Sequence, residues 1–155
     1  MVTVAVSRWL IGTFILSAAA FLYLHISDWY VWQGHVESRP QPTIAKLKEG
    51  FREFPFANEA RLISSFDKDE SVSVNYKFQS DLPPAQIAGA FKVGLKRLGW
   101  HMERENIARD AMLKFCRSGT ATTIRLISID PGTEANVHLS WTYNVRSPDY
   151  CAVAP

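Results

Sequence analysis

The chain has 155 residues, 47% of them hydrophobic and 21% charged, with a net charge of +2. With a first apolar stretch of about thirty residues set aside, the remainder is enough for one small domain with one core, not two. From Asp28 onward sixteen basic residues stand against fifteen acidic ones, with no Lys/Arg run, which leaves nucleic acid without an electrostatic reason to bind.

Trp9 through Ser27 contains no Lys, Arg, Asp or Glu. Its nineteen residues are close to the roughly 20 that a helix needs to cross a bilayer. Trp9 stands at one end and Trp29, Tyr30 and Trp32 at the other, where an interfacial aromatic belt falls. Two readings compete. In one, MVTVAVSR, WLIGTFIL and the small residues Ser17 to Ala20 form a signal peptide cut after Ala20. In the other the segment stays as an anchor, because FLYLHI and then WYVW continue the apolar sequence past the cut. The anchor is the expectation. Arg8 on the N-terminal side, with Asp28 and Glu37 beyond the helix, orients it by the positive-inside rule. Residues 1–8 then lie in the cytoplasm, 9–27 span the membrane as a lipid contact, 28–42 form a juxtamembrane linker, and 43–155 form a domain outside. In a bacterium with two membranes, that means an inner-membrane anchor and a periplasmic domain.

Past the linker, TIAKLKEGFREF places Ile44, Leu47, Phe51 and Phe54 at helical spacing, and Pro55 ends the run. ARLISSF (60–66) and SVSVNYKFQ (71–79) read as an antiparallel hairpin. In the second strand Val72, Val74, Tyr76 and Phe78 alternate with Ser73, Asn75, Lys77 and Gln79, which gives it one wet face. DLPPAQIAGAFKVGLKRLGW predicts a long helix. Asp81 is its expected N-cap, Pro83 and Pro84 fall in its first turn, and Gly99 takes the C′ position. Ile87, Phe91, Leu95 and Leu98 line one face.

After Gly99 the period becomes two. Strands are expected over 100–105, 111–118, 122–130 and 135–145, with a DPGTE turn before the last. In that last strand Val137, Leu139, Trp141, Tyr143 and Val145 should face in, and His138, Ser140, Thr142 and Asn144 out. The order α-ββ-α-ββββ with short connections predicts an α+β two-layer sandwich: an antiparallel meander of about six strands under one long helix. The long-helix segment, set between a Tyr-bearing strand and a strand run ending near a Cys, resembles a pattern in small bacterial membrane-anchored envelope proteins with a compact α+β domain. The resemblance covers about residues 60 to 151. It implies a layout and no activity.

Two cysteines remain, Cys116 in a predicted strand and Cys151 in the tail. An oxidising compartment lets them pair and pin the tail, for about 3–4 kcal/mol in the chain-entropy model. The alternative is two unrelated thiols, one buried and one free.

No P-loop, G-x-G-x-x-G, G-x-S-x-G, C-x-x-C or H-E-x-x-H occurs. His101 and Glu103 share a strand face, and with His138 they would make a metal site if their strands were neighbours; solvated polar residues are the plainer reading. Glu103, Glu105 and Asp110 flank a turn, where charges are ordinary. Trp100 and Trp141 offer a stacking platform or, more simply, core packing. Lys92, Lys96 and Arg97 form a basic patch on the long helix, and Lys77, Lys114, Arg125 and His138 dot the wet sheet face. Together these seven are the expected partner-binding surface. The expectation is a protein-binding domain with no catalytic residues, cofactor or metal. One version is an immunity protein that caps a periplasmic toxin. The alternatives are an accessory subunit of an inner-membrane complex, or a small-ligand binder with a cavity lined by Tyr76, Trp100 and Trp141.

Overall fold

The first helix, α1 (Ile44–Phe51), starts where the Thr43 hydroxyl accepts the Lys46 N–H at 3.2 Å. It buries Leu47 and Phe51. Its spacing continues to Phe54, yet the helix stops at Phe51 and the chain goes on in turns, with Phe54 N–H donating to Phe51 O at 2.9 Å and Ala57 N–H to Phe54 O at 3.2 Å. Phe54 is buried all the same. The structure, a computed structural model, describes residues 21–23, 40–68, 70–106, 111–144 and 146–152.

Six strands follow: β1 (Arg61–Lys68), β2 (Ser71–Ser80), β3 (His101–Asn106), β4 (Ala111–Arg117), β5 (Thr120–Ser128) and β6 (Thr133–Thr142). They form one antiparallel sheet in the order β1-β2-β6-β5-β4-β3. The second helix, α2 (Pro84–Arg97), joins β2 to β3. The expected α+β class and element order hold. The single meander does not. Strands β3 to β6 run as a meander, but α2 carries the chain from β2 to the far edge, and β6 returns to pair with β2 along its whole length, from Ser71↔Thr142 to Ser80↔Thr133.

At the start of α2 the cap is Pro83, extended at φ −67° and ψ 152° and without a side-chain cap bond, not Asp81. Consecutive prolines explain the shift. Pro84 holds Pro83 out of the helical region, and Pro84 then begins the helix with no N–H to satisfy. The other end is as expected. Gly99 takes φ +80°, Trp100 N–H donates to Leu95 O at 2.9 Å and Gly99 N–H to Lys96 O at 3.1 Å, the two bonds of a Schellman motif.

The face of α2 buries Ile87, Phe91 and Leu95 against Val72, Val74, Phe78, Leu113, Phe115, Ile124, Leu126, Val137 and Leu139 of the sheet. Phe56, Phe78 and Phe91 form an aromatic trio with centroid separations of 5.0 to 6.2 Å. The turn before β6 closes on the end of β2: a Cβ on Gly132, at φ +93°, would stand 2.1 Å from Ser80 O.

On the other sheet face, Ser140 and Thr142 were expected to be solvated and are buried. The tail after β6 explains it, because it turns back over this face instead of extending the strand. Strand β6 ends at Thr142, Tyr143 N–H donates to Glu70 O at 3.1 Å, and Val145 lies outside the described residues.

The chain divides into a unit from Met1 to Arg39 and one from Pro40 to Pro155. In the first, Phe21–Tyr23 is helical and exposed; the rest of the expected span 9–27, the segment 1–8 and linker residues 28–39 lie outside the described residues. No helix among the described residues is long and apolar enough to cross a membrane.

Candidate functional site

The helix-free face of the sheet is built from the polar phase of each strand. Its rows are fixed by register: Asn75 pairs with His138 and His138 with Thr123, while Ser73, Ser140, Ala121, Cys116 and His101 follow one another across the sheet. Three contacts bring the tail across these rows. Cys116 and Cys151 form a disulfide with Cα atoms 5.7 Å apart, and Ala121 packs with it into a small buried cluster. Lys114 Nζ donates to Tyr150 O at 3.0 Å and pairs with Glu103 at 2.5 Å. In the third, His138 Nε2 lies 3.2 Å from Asp149 Oδ2, and its Nδ1 lies 2.6 Å from Asn75 Oδ1. The Asn75 amide nitrogen donates to Ser64 Oγ, which orients its oxygen toward the ring. Both partners of the imidazole are therefore acceptors, and the ring donates through both nitrogens only when it carries two protons.

The hydrogen bond from His138 holds the Asp149 carboxyl below its ordinary value of 3.8; burial opposes this, and the charges of His138 and Lys114 add to it. A carboxylate with a depressed folded-state pKa stabilises the fold above its unfolded value and loses that contribution as pH falls through the folded value. Wild-type full-length chain is therefore expected to melt at a higher temperature than Asp149→Asn at neutral pH. The gap should close as pH drops below about 4. A gap that stays constant from pH 7 to below pH 3 would remove Asp149 from the tail clasp.

His138 and Asp149 line two grooves. One, of about 320 Å³, also touches Phe66, Glu70, Ser73, Ser140 and Asn144. The other, of about 450 Å³, touches Thr123, Arg125, Ile127 and Asn136. Ser140 lines the first, and its hydroxyl is buried without a hydrogen-bond partner among the described residues.

The seven residues of the expected binding surface do not converge. Lys92, Lys96 and Arg97 belong to α2, on one layer of the sandwich, whereas Lys77, Lys114, Arg125 and His138 lie on the sheet's other face. Lys92 is paired with Glu105, and Lys77 with Glu134 at 2.7 Å, a bond that lowers the Glu134 pKa. Lys114 and His138 hold the tail. Lys96, Arg97 and Arg125 are exposed, with no ion-pair partner among the described residues.

The metal constellation fails on topology. Strands β4 and β5 separate β3 from β6, so His138 stands three strand spacings, roughly 14 Å, from the strand of His101 and Glu103. Glu103, Cys116 and Cys151 do bring ligand atoms within 4.8 Å of one another, but both sulfurs are spent in the disulfide. Asp110 lies outside the described residues. Nor do the aromatic residues frame a common cavity. Trp100 meets Phe54 edge-on at 5.4 Å, Tyr76 stacks on Phe51 at 3.7 Å, and Trp141 meets Tyr143 at 4.3 Å. Each ring packs on a different neighbour.

What the sequence reading missed is the edge. All eight residues of β1 are exposed, and Leu62, Ile63 and Phe66 are 42%, 52% and 49% accessible. One side of β1 pairs with β2, with a bulge between Leu62 and Ser64; the other has no strand beside it among the described residues. The opposite edge, β3, carries Glu103, Arg104 and Glu105 at its centre, the usual charged guard against strand addition. The centre of β1, Leu62 to Phe66, carries no charge. The signal was present in ARLISSF, which lacks the strict alternation of a strand with one buried face. No family model, curated protein or solved structure matches this chain.

Proposed function

We propose that the chain is a membrane-tethered, non-catalytic protein-binding domain of the bacterial envelope, which receives a strand of its partner along β1. The observation that carries this reading is the uncharged, exposed centre of β1. Backbone N–H and C=O groups on an unpaired edge give a partner strand its affinity, and neighbouring side chains give it selectivity. Leu62, Ile63 and Phe66 supply the apolar area that makes such an addition worthwhile, while β3 is guarded against it. Residues 9–27 serve as the tether. The ten residues 33–42 extend to at most about 35 Å, which keeps the domain beside the bilayer.

Within this class the specific reading is an immunity protein that caps a toxin arriving in the periplasm. Such a function needs a complementary surface and no reacting group, and the pairing of polar residues on the sheet face into tail contacts is consistent with that. The test is crosslinked capture of the full-length chain from gently solubilised membranes of its native host, in parallel with Ile63→Asp. A charge at the centre of a docked edge should reduce recovery of the partner roughly tenfold or more, while Lys96→Glu on α2 leaves it unchanged. A secreted toxin among the proteins lost with Ile63→Asp supports immunity, and an integral-membrane protein supports the accessory-subunit alternative. Partners retained by Ile63→Asp but lost with Lys96→Glu would move the interface to α2. Protease accessibility of the domain in sealed vesicles tests the tether and its orientation.

A further inference from the structure

We infer that the groove beside β1 takes the side chain of a lysine or arginine carried by the docked partner strand; this deepens the edge-docking reading and rests on it. The groove, about 320 Å³, is lined by Phe66 of β1 together with Glu70, Ser73, Ser140, Asn144 and Asp149. Among the described residues two carboxylates, Glu70 and Asp149, line it and no Lys or Arg does; His138 stands beside Asp149. Glu70 is exposed and has no ion-pair partner among the described residues. Asp149 has one oxygen engaged by His138.

Independent of this charge is the state of Ser140. The residue is 4% exposed, it lines the groove, and its hydroxyl oxygen is buried with no hydrogen-bond partner among the described residues. A buried hydroxyl left unsatisfied is unfavourable, and an N–H donor entering the groove relieves it. Lysine and arginine carry only donors, so they match the Glu70 and Asp149 carboxylates and the lone pairs of the Ser140 hydroxyl, whereas a carboxylate or phosphate would meet two like charges.

Position links the groove to the edge. Phe66 is paired with Ser73, and so its ring lies on the tail-covered face, beside the groove and not on the α2 side. A partner residue opposite Phe66 is its cross-strand neighbour, with Cβ atoms about 5 Å apart. The stem of a lysine or arginine there lies along the half-exposed phenyl ring, and its cationic head passes over the ring face toward Glu70. An apolar or short residue at that position fills none of these groups.

The probes are Nα-acetyl-lysine methylamide and Nα-acetyl-arginine methylamide, with the neutral Nα-acetyl-norleucine methylamide as control. Each is titrated to millimolar concentration into isotope-labelled full-length chain in detergent micelles, and backbone amide shifts are followed. The expected result is a saturable shift of the Glu70, Ser73 and Ser140 amides with either cationic probe and none with norleucine. Glu70→Gln should weaken that binding roughly three- to tenfold, its folding checked on the β6 amides. An equal response to norleucine, no response, or shifts confined to other surfaces would overturn the inference. Failure here is separable from failure of the edge reading: a partner lost with Ile63→Asp while no cationic probe binds leaves the edge and removes the groove.

Discussion

Replacing Phe91 with alanine is expected to destabilise the domain by about 3–5 kcal/mol. Phe91 is fully buried at the middle of α2, where its ring meets Phe56 and Phe78 at 5.6 and 6.2 Å. The neighbours cannot move in to fill the gap. Phe78 is fixed on a strand paired on both sides, and Phe56 sits in a turn at φ +62°. The truncation therefore loses the transfer free energy of the ring and leaves much of its volume empty. Against a typical total stability of about 5–15 kcal/mol, this is a large fraction. Urea titration of the full-length chain, followed by tryptophan fluorescence, measures it. Val93→Ala, on the exposed side of the same helix, is the control and should change stability by no more than about 0.5 kcal/mol. A Phe91→Ala effect no larger than that of Val93→Ala would mean that α2 does not pack on the sheet as described.

Loss of the disulfide ranks next. Cys116 and Cys151 are 35 residues apart, and closing such a loop is worth about 3–4 kcal/mol in the chain-entropy model. For a domain of this size that corresponds to a fall in melting temperature on the order of 10–15 °C. The double variant Cys116→Ser/Cys151→Ser and dithiol-reduced wild type should agree. The damage has a local component too. With Cys151 released, the Lys114 bond to Tyr150 O and the His138–Asp149 contact still hold the tail, and both are only part-buried. Hydrogen exchange at the amides of Asp149 and Tyr150 should then accelerate well before the β6 amides open. An unchanged melting temperature on reduction would show that the tail is held by its polar contacts alone.

The legible parts of the fold were those set by neighbours in sequence. Strand β2 announces its two faces because each residue alternates, and α2 announces its end because Gly99 must supply the left-handed residue of the cap. The start of α2 was misjudged because Asp81 is a good cap by type, while two prolines decide the backbone before any side chain can act. Strand order was not legible at all: nothing local in ANVHLSWTYNV says that it will pair with β2 rather than only with its predecessor. The same limit hid the character of the sheet's polar face. Ser140 and Thr142 sit in the solvent phase of β6 and are buried by a tail whose path depends on a bond to a strand 35 residues earlier. Counting cysteines gave the bond, but not what it covers. For the seven residues of the expected binding surface, charge alone did not show which side chains have ion-pair partners. Lys77, Lys92 and Lys114 looked available and are paired, whereas the exposure of β1 shows in the sequence as an absence of alternation.

The place of β6 has a consequence for how the domain is made. Its partners on either side are β2, whose Val72 meets Trp141 across 69 residues of chain, and β5, which immediately precedes it. The centre of the sheet is thus the last strand to leave the ribosome. Until it arrives, the β1–β2 hairpin and the β3–β5 set are two separate pieces, each with a bare edge. Pairings between such distant segments form slowly, and both edges stay open to wrong partners in the interval. Completion of the sheet is in effect a check that β6 is present, since a product cut short before Thr133 lacks the strand that joins its two halves.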